Sequence, residues 1–511
     1  MRDFKSFWPL AHAGRALAAS LLIAFGATQA QAQARLPTLG DGNELTTGAE
    51  RKLGDSIIRQ LYRDPDYVDD APLQEYVQNI FQALVTAARA RGELSPELDE
   101  RFAWEILLGR DRTVNAFALP GGYMGVHLGL IGVVASRDEL ASVMAHELSH
   151  ITQRHIARLM AQEKRQTPLM LAAMVLGALA ASKSPNAASA LMVGGPALVV
   201  QNQLNFSRDM EREADRVGYG LMQPAGFAPE GFVSMFDKLQ QANRLNDNGS
   251  WPYLRSHPLT TQRIADMHSR LPPGQTSVPQ PVPTVEHAML AARARVLTRP
   301  GVDVLRQWVT EPQTSGFATR PLPQRAAVLY ASALGYEKLS DFANARRMAA
   351  QLRDTVQGDA AALRQARLLA AEVELAAGQP QAALEQLPAV SGARPELTLR
   401  SQALLRLHHG GDATGPLQTW LATHPHDATL WQLLASCWQQ QNQPLRAVRA
   451  EAEAQAAHYD WAAAVDRFKA GQDMARKSGA ANDYIEASII DTRLREAQDK
   501  LKEQKDAEKE R

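Results

Sequence analysis

The sequence predicts a mainly α-helical chain, with an α+β domain holding a small β-sheet over residues 45–271 and an all-α repeat domain over 285–495. Three observations carry this. Apolar residues recur at helical spacing through most of the chain. β-like alternation is confined to the stretch from Phe102 to about Leu128. Beyond a proline-rich stretch at 272–284, turn signals return at near-regular intervals. At 511 residues the chain exceeds one ordinary core, and about 150 residues per domain gives about two to four units.

The N-terminal residues 1–34 have the order of a secretory signal peptide. Arg2, Lys5 and Arg15 precede the apolar run Ala16–Ala27, and Ala30-Gln31-Ala32 and Ala32-Gln33-Ala34 offer small-x-small cleavage sites. The run is shorter than the ~20 residues of a spanning helix, which argues against an uncleaved anchor. The expected compartment is therefore the periplasm. From Glu50 to Ala90, Leu53, Ile57, Leu61 and then Leu73, Val77, Ile80, Leu84 fall at helical spacing. Phe102–Leu108, of mixed alternation, Val114–Leu119 and Tyr123–Leu128 read as two or three strands, the last two segments joined by a Pro120-Gly121-Gly122 turn.

Ser136-Arg-Asp-Glu139 is a capping box opening a helix expected to run to about Gln162. Two apolar segments, 169–181 and 190–200, follow; each is shorter than a membrane span, and Ser182-Lys-Ser-Pro185 separates them. They read as an amphipathic flap with possible peripheral membrane contact. Ser207–Met222 reads as another helix, closed by Pro224 and Gly226. Five prolines at 272, 273, 279, 281 and 283 mark a linker.

After Val285 the chain is rich in Ala, Leu, Gln and Arg. The turns at Gly378-Gln-Pro, Gly411-Asp-Ala and Asn442-Gln-Pro lie roughly 31 to 33 residues apart, flanked by others at Leu339-Ser-Asp-Phe and Tyr459-Asp-Trp. That spacing, with small residues where helices would cross, resembles tetratricopeptide repeats in a degenerate form. The tail 496–511 is charged and is expected to fray into solvent.

Equal numbers of basic and acidic residues, 55 each, give no basic surface excess and argue against nucleic acid as a partner. A single cysteine, Cys437, excludes an intramolecular disulfide and a CxxC metal site.

The chemistry concentrates in His146-Glu147-Leu148-Ser149-His150. Residues four apart share a helix face, so two imidazoles can hold one Zn2+. Zinc lowers the pKa of water to around 7, and Glu147 stands where it can take the proton. A catalytic zinc needs a third protein ligand. Glu211 and Asp215 are again four apart: Glu211 can ligate, and Asp215 can hydrogen-bond a ligating histidine's free ring nitrogen. Glu213 reads as solvated, His155 as a surface residue off the ligand face, and His127 as a strand-face residue. The strand through Tyr123 and Gly125 is the candidate for pairing with an extended substrate, its glycine admitting a peptide backbone.

HELSH followed by Glu211-x-Glu-Ala-Asp215 resembles the M48 family of metallopeptidases over roughly Leu45–Leu271. The resemblance implies a zincin-like α+β metallopeptidase domain with one zinc per chain. His146, His150 and Glu211 would be ligands, Glu147 the catalytic base, and Asp215 a proton donor, a role compatible with orienting a ligand. Arg255-Ser-His257-Pro258 matches a family segment whose histidine can fill the zinc's open site as a latch; a bare turn histidine before proline is the other reading. With its leader and helical repeats, the chain resembles periplasmic members of the family that degrade misfolded or stalled outer-membrane proteins and engage the outer-membrane β-barrel assembly machinery. The reading from another class is a chaperone or adaptor whose repeats do the work around a latched or structural metal.

Overall fold

A computed structural model describes residues 45–162, 207–244, 250–271, 281–478 and 484–509. The expected signal peptide and the apolar segments at 169–200 lie outside the described residues, as does the proline-rich stretch through residue 280. Among the described residues, no helix is long and apolar enough to cross a membrane.

Helix α1 (Thr47–Leu61) starts where the Thr46 hydroxyl accepts from Ala49 N–H. A short strand β1 (Tyr67–Val68) leads to α2 (Ala71–Ala90), capped by the Asp70 side chain, and to α3 (Pro96–Arg101). Three strands follow: β2 (Glu105–Gly109), β3 (Ala116–Leu119) and β4 (Tyr123–His127). The sheet order is β1-β2-β4-β3, with β2 parallel to β4 and the other pairs antiparallel. Gly121 and Gly122 both have positive φ, which closes the β3–β4 turn.

Strand alternation then sorts the side chains. Ile106, Leu108, Met124 and Val126 join the core with Val77, Ile80, Phe81 and Leu84 of α2. Beyond the sheet come α4 (Leu128–Val133) and α5 (Arg137–Thr152), the latter buried from Glu139 to Thr152. Half of the expected capping box forms: the Ser136 hydroxyl accepts from Glu139 N–H, but the Glu139 carboxylate accepts from Ala135 N–H and not from Ser136 N–H.

The helix expected to run to Gln162 does not. It ends at Thr152, Arg154 takes a left-handed φ of 52°, and a separate helix α6 (His155–Gln162) starts in a new direction. The domain continues with α7 (Arg208–Met222), α8 (Glu230–Arg244), α9 (Tyr253–Ser256) and α10 (Thr261–His268).

From α11 (Val285–Leu297) and α12 (Val302–Thr310) onward the described chain is helical. Five helix pairs follow: α13 (Leu322–Lys338) with α14 (Phe342–Thr355), α15 (Ala360–Ala376) with α16 (Pro380–Gln386), α17 (Arg394–Arg406) with α18 (Gly411–Thr423), α19 (Ala428–Gln440) with α20 (Pro444–Ala457), and α21 (Trp461–Ser478) with α22 (Tyr484–Lys509). The first four pairs turn on one left-handed residue each: Ser340, Gly378, His408 and Asn442. The tail expected to fray is part of α22, which runs on to Lys509.

Helix α11 belongs to two cores. Leu290 and Ala294 pack into the core of the sheet-bearing part, while Val285, Met289, Ala292 and Val296 pack into that of the helices that follow. Arg293 on the same helix is buried; it donates to Asp70 at the cap of α2 and to Glu372 of α15. Two further arginines repeat the theme: Arg364 donates to Glu75 and Arg394 to Asp69. Three acidic residues around the start of α2 are thus each held by one arginine of the helical region.

Candidate metal centre

The site is assembled where α5 and α7 touch. Gly218 of α7 permits the approach: a Cβ there would lie 3.0 Å from the backbone of Ala145 and His146. At that crossing α5 supplies His146, Glu147 and His150, and α7 supplies Glu211 and Asp215. His257, just past α9, comes in over them, its ring centroid 4.6 Å from that of Tyr253. All six side chains are buried.

His146 Nε2 lies 3.0 Å from His150 Nε2 and 3.3 Å from His257 Nδ1. Glu211 Oε1 is 3.0 Å from His257 Nδ1 and 3.5 Å from His150 Nε2. Ligand atoms of His146, His150, Glu211 and His257 all lie within 4.8 Å of one another. Bonds of ~2.0–2.1 Å in a tetrahedral zinc site put neighbouring ligand atoms roughly 3.3 Å apart, so this spacing fits a small cation. The donor set fits too: three ring nitrogens and a carboxylate converge on one point, an arrangement that needs a positive charge at its centre.

The surrounding charges reinforce this. Asp215 Oδ1 stands 3.0 Å from His146 Nδ1. Burial opposes the charged form of His146, but Asp215 and Glu211 outweigh it and carry its pKa up to about 9. Burial pushes His150 the other way, well below the ordinary histidine value, with His146 adding to the effect. Burial would raise Glu211, yet His257 and His146 hold it well below the carboxylate range. Glu147 Oε2 accepts from Ala118 N–H at 2.9 Å, while its Oε1 makes no hydrogen bond among the described residues and lies 3.3 Å from His257 Nε2.

The sequence reading missed three residues here. Arg263 of α10 is buried and donates to both carboxylate oxygens of Asp215, at 2.6 and 2.8 Å. Its third nitrogen lies 2.7 Å from Glu211 Oε2 and donates to the Pro258 carbonyl. No local pattern distinguishes this arginine from a surface one. His155, expected at the surface, is fully buried with Nδ1 2.8 Å from His150 Nδ1, because α6 breaks away from α5. Glu213, expected in solvent, accepts from Arg158 and lies 3.0 Å from His155 Nε2.

The substrate-strand expectation is also corrected. β4 is paired on both edges, so Tyr123 and Gly125 cannot take a further strand. The space over Gly125 holds the Phe117 ring, whose Cζ would lie 2.1 Å from an added Cβ. Tyr123 is fully buried and its hydroxyl meets Tyr459 Oη at 2.7 Å. The edge on this side, among the described residues, is β3. His127 is a strand-face residue, with Thr113 Oγ1 3.0 Å from its Nδ1.

Residues 72–271 match peptidase family M48. The chain is 29% identical over 406 residues to the beta-barrel assembly-enhancing protease of Escherichia coli K12, covering 78% of this chain and 79% of that one. It is 33% identical over 325 residues to the putative beta-barrel assembly-enhancing protease of Vibrio cholerae, covering 62% of this chain; the match spans 63% of that relative's length. The mitochondrial metalloendopeptidase OMA1 of Saccharomyces cerevisiae is 30% identical over 207 residues, 39% of this chain and 56% of its own.

Proposed function

We propose that this chain, a member of peptidase family M48 through its residues 72–271, is a zinc metalloendopeptidase of the periplasm acting in quality control of outer-membrane protein assembly. The observation that carries the enzymatic part is the convergence of His146, His150, Glu211 and His257 on one point with Glu147 alongside. His146, His150 and Glu211 would hold one zinc. When bound, zinc acidifies water and polarises a carbonyl.

The chain's own residues do the rest. Glu147 is the base: Ala118 N–H fixes one carboxylate oxygen and leaves Oε1 to take a proton. Asp215, clamped by Arg263, orients His146. An extended substrate would pair with β3 by strand addition. Ala118, whose N–H anchors Glu147, lies on β3, so substrate register and base would share one strand.

Two relatives are named for enhancing β-barrel assembly, which supports stalled or misfolded outer-membrane proteins as substrates. The paired helices, recurring at Ala360, Arg394, Ala428 and Trp461, support a tetratricopeptide-type surface for the assembly machinery. A second reading has a specific observation behind it. His257 Nδ1 lies 3.3 Å from His146 Nε2 and its Nε2 3.3 Å from Glu147 Oε1; as a fourth ligand it would leave the resting chain to serve as an adaptor.

Zinc content and casein hydrolysis of the wild type, beside Glu147→Gln, test the proposal. Equimolar zinc in both, with cleavage lost by roughly 10²–10⁴-fold in the variant, is expected. Wild-type cleavage by Glu147→Gln would sink the assignment. Zinc without hydrolysis of any unfolded protein would favour the adaptor.

A further inference from the structure

We propose that His155 and Glu213 form a relay that fixes the tautomer and ring orientation of His150. The inference rests on the reading of His150 as a metal ligand.

The geometry begins with the break after α5. Five residues on from His150 along an unbroken helix, a side chain points well away from it. The left-handed Arg154 ends that helix, and α6 folds His155 back until the two Nδ1 atoms are 2.8 Å apart. A buried imidazole needs partners for both nitrogens. His155 has them: His150 on one side and Glu213 Oε2, 3.0 Å from its Nε2, on the other. Arg158, one turn along α6, donates to the same Glu213 oxygen at 2.9 Å and pins it.

Proton placement follows. A histidine that gives Nε2 to a cation carries its proton on Nδ1. His150 Nδ1–H then donates to His155 Nδ1, and His155, neutral, carries its own proton on Nε2 and donates to the Glu213 carboxylate. Every donor meets an acceptor. The opposite tautomer of His155 would set two N–H groups against each other at 2.8 Å.

The arrangement parallels that at His146. There Asp215 of α7 faces Nδ1 directly. Here Glu213 of α7 reaches His150 through an interposed ring. Glu211, Glu213 and Asp215 alternate along one helix: the first faces the ligand cluster and the other two each back one ligating histidine. Glu213 points away from its neighbours on α7, which is why spacing alone assigned it to solvent.

His155 and Glu213 are thus positioning residues. The test uses the full chain and reads zinc affinity by competition with a chromogenic chelator, together with the melting temperature of the zinc-free protein. His155→Phe keeps ring volume and removes the acceptor; it should weaken zinc binding ~10–100-fold and lower kcat with little change in KM. His155→Asn restores an acceptor near the Nδ1 position and should recover most of the loss. Glu213→Leu should weaken binding in the same direction, and adding it to His155→Phe should cost nothing further. Zinc affinity of His155→Phe within twofold of wild type, or strictly additive effects of the two substitutions, would overturn the relay. If His155→Phe does not fold, the comparison of wild type, His155→Asn and Glu213→Leu decides: an unchanged affinity in Glu213→Leu rejects the relay. A wild type that binds no zinc would instead reject the metallopeptidase reading itself.

Discussion

His257 Nε2 lies 3.3 Å from Glu147 Oε1, and the same ring holds Nδ1 among the ligand atoms, 3.3 Å from His146 Nε2. One imidazole therefore stands both among the clustered candidate ligand atoms and against the carboxylate oxygen proposed as the base. A substrate carbonyl and its attacking water need those two places. Replacing His257 with Ala should raise basal casein cleavage several-fold while zinc stays bound, since His146, His150 and Glu211 still form a three-ligand site. Cleavage rates at matched zinc content check this. If His257 instead stabilises the developing oxyanion, the rate falls, and a fall would rule out the latch.

Glu211 and Asp215 should separate cleanly in metal binding. Glu211→Ala removes a ligand atom and leaves two histidines, so zinc should be lost on gel filtration. Asp215→Asn removes the charge that faces His146 Nδ1 and that Arg263 holds, and the expected cost is a ~10–100-fold weaker affinity. Zinc titration of both variants is the measurement. Wild-type affinity in Glu211→Ala would show that the third ligand lies elsewhere.

A fragment ending at 283 and one ending at 298 should differ in stability. The shorter lacks Leu290 and Ala294, which fill the core of the sheet-bearing part. Deleting one such buried leucine side chain commonly costs ~2–5 kcal/mol. The longer fragment should melt higher and bind zinc. Equal melting temperatures would mean α11 contributes nothing to that core.

The bond between Arg394 and Asp69 sets a pH window for the join between α17 and the start of α2. Burial would raise the Asp69 pKa, but the Arg394 guanidinium outweighs it and holds it below the usual value. A carboxyl depressed in the folded state contributes stability above its unfolded pKa of roughly 3.9 and loses it as pH falls through the folded value. Arg394→Ala should therefore cost about 1–3 kcal/mol at neutral pH, with the difference from wild type shrinking below about pH 4. Urea melts at the two pH values measure it.

The fold and the ligand set were legible in the sequence to different depths. Helical spacing and the Pro120–Gly122 turn located the elements, because local periodicity and turn chemistry act over a few residues. That His146 and His150 share one helix face, and Glu211 and Asp215 another, was legible because four-residue spacing on a helix is itself a geometry; that the two faces meet was expected only from the need for a third ligand and from the family resemblance. His155 was not: its burial depends on a left-handed Arg154, a residue type with no preference for that conformation. Arg263 was not, because its partners Asp215 and Glu211 are about fifty residues away in sequence. Tyr123 and Gly125 were misassigned because strand order cannot be read from strand sequence; β4 lies inside the sheet, and only pairing reveals it.

Helix α11 also bears on how the chain comes into being. Its residues turn apolar faces in opposite directions, and each face is covered by sequence lying on a different side of it along the chain. During synthesis, N-terminus first, the sheet-bearing part can claim Leu290 and Ala294 at once. Val285, Met289, Ala292 and Val296 stay bare until the chain has been extended through α13 and beyond. For that interval the nascent protein carries a helix with one greasy face uncovered, the kind of surface that draws aggregation or a chaperone.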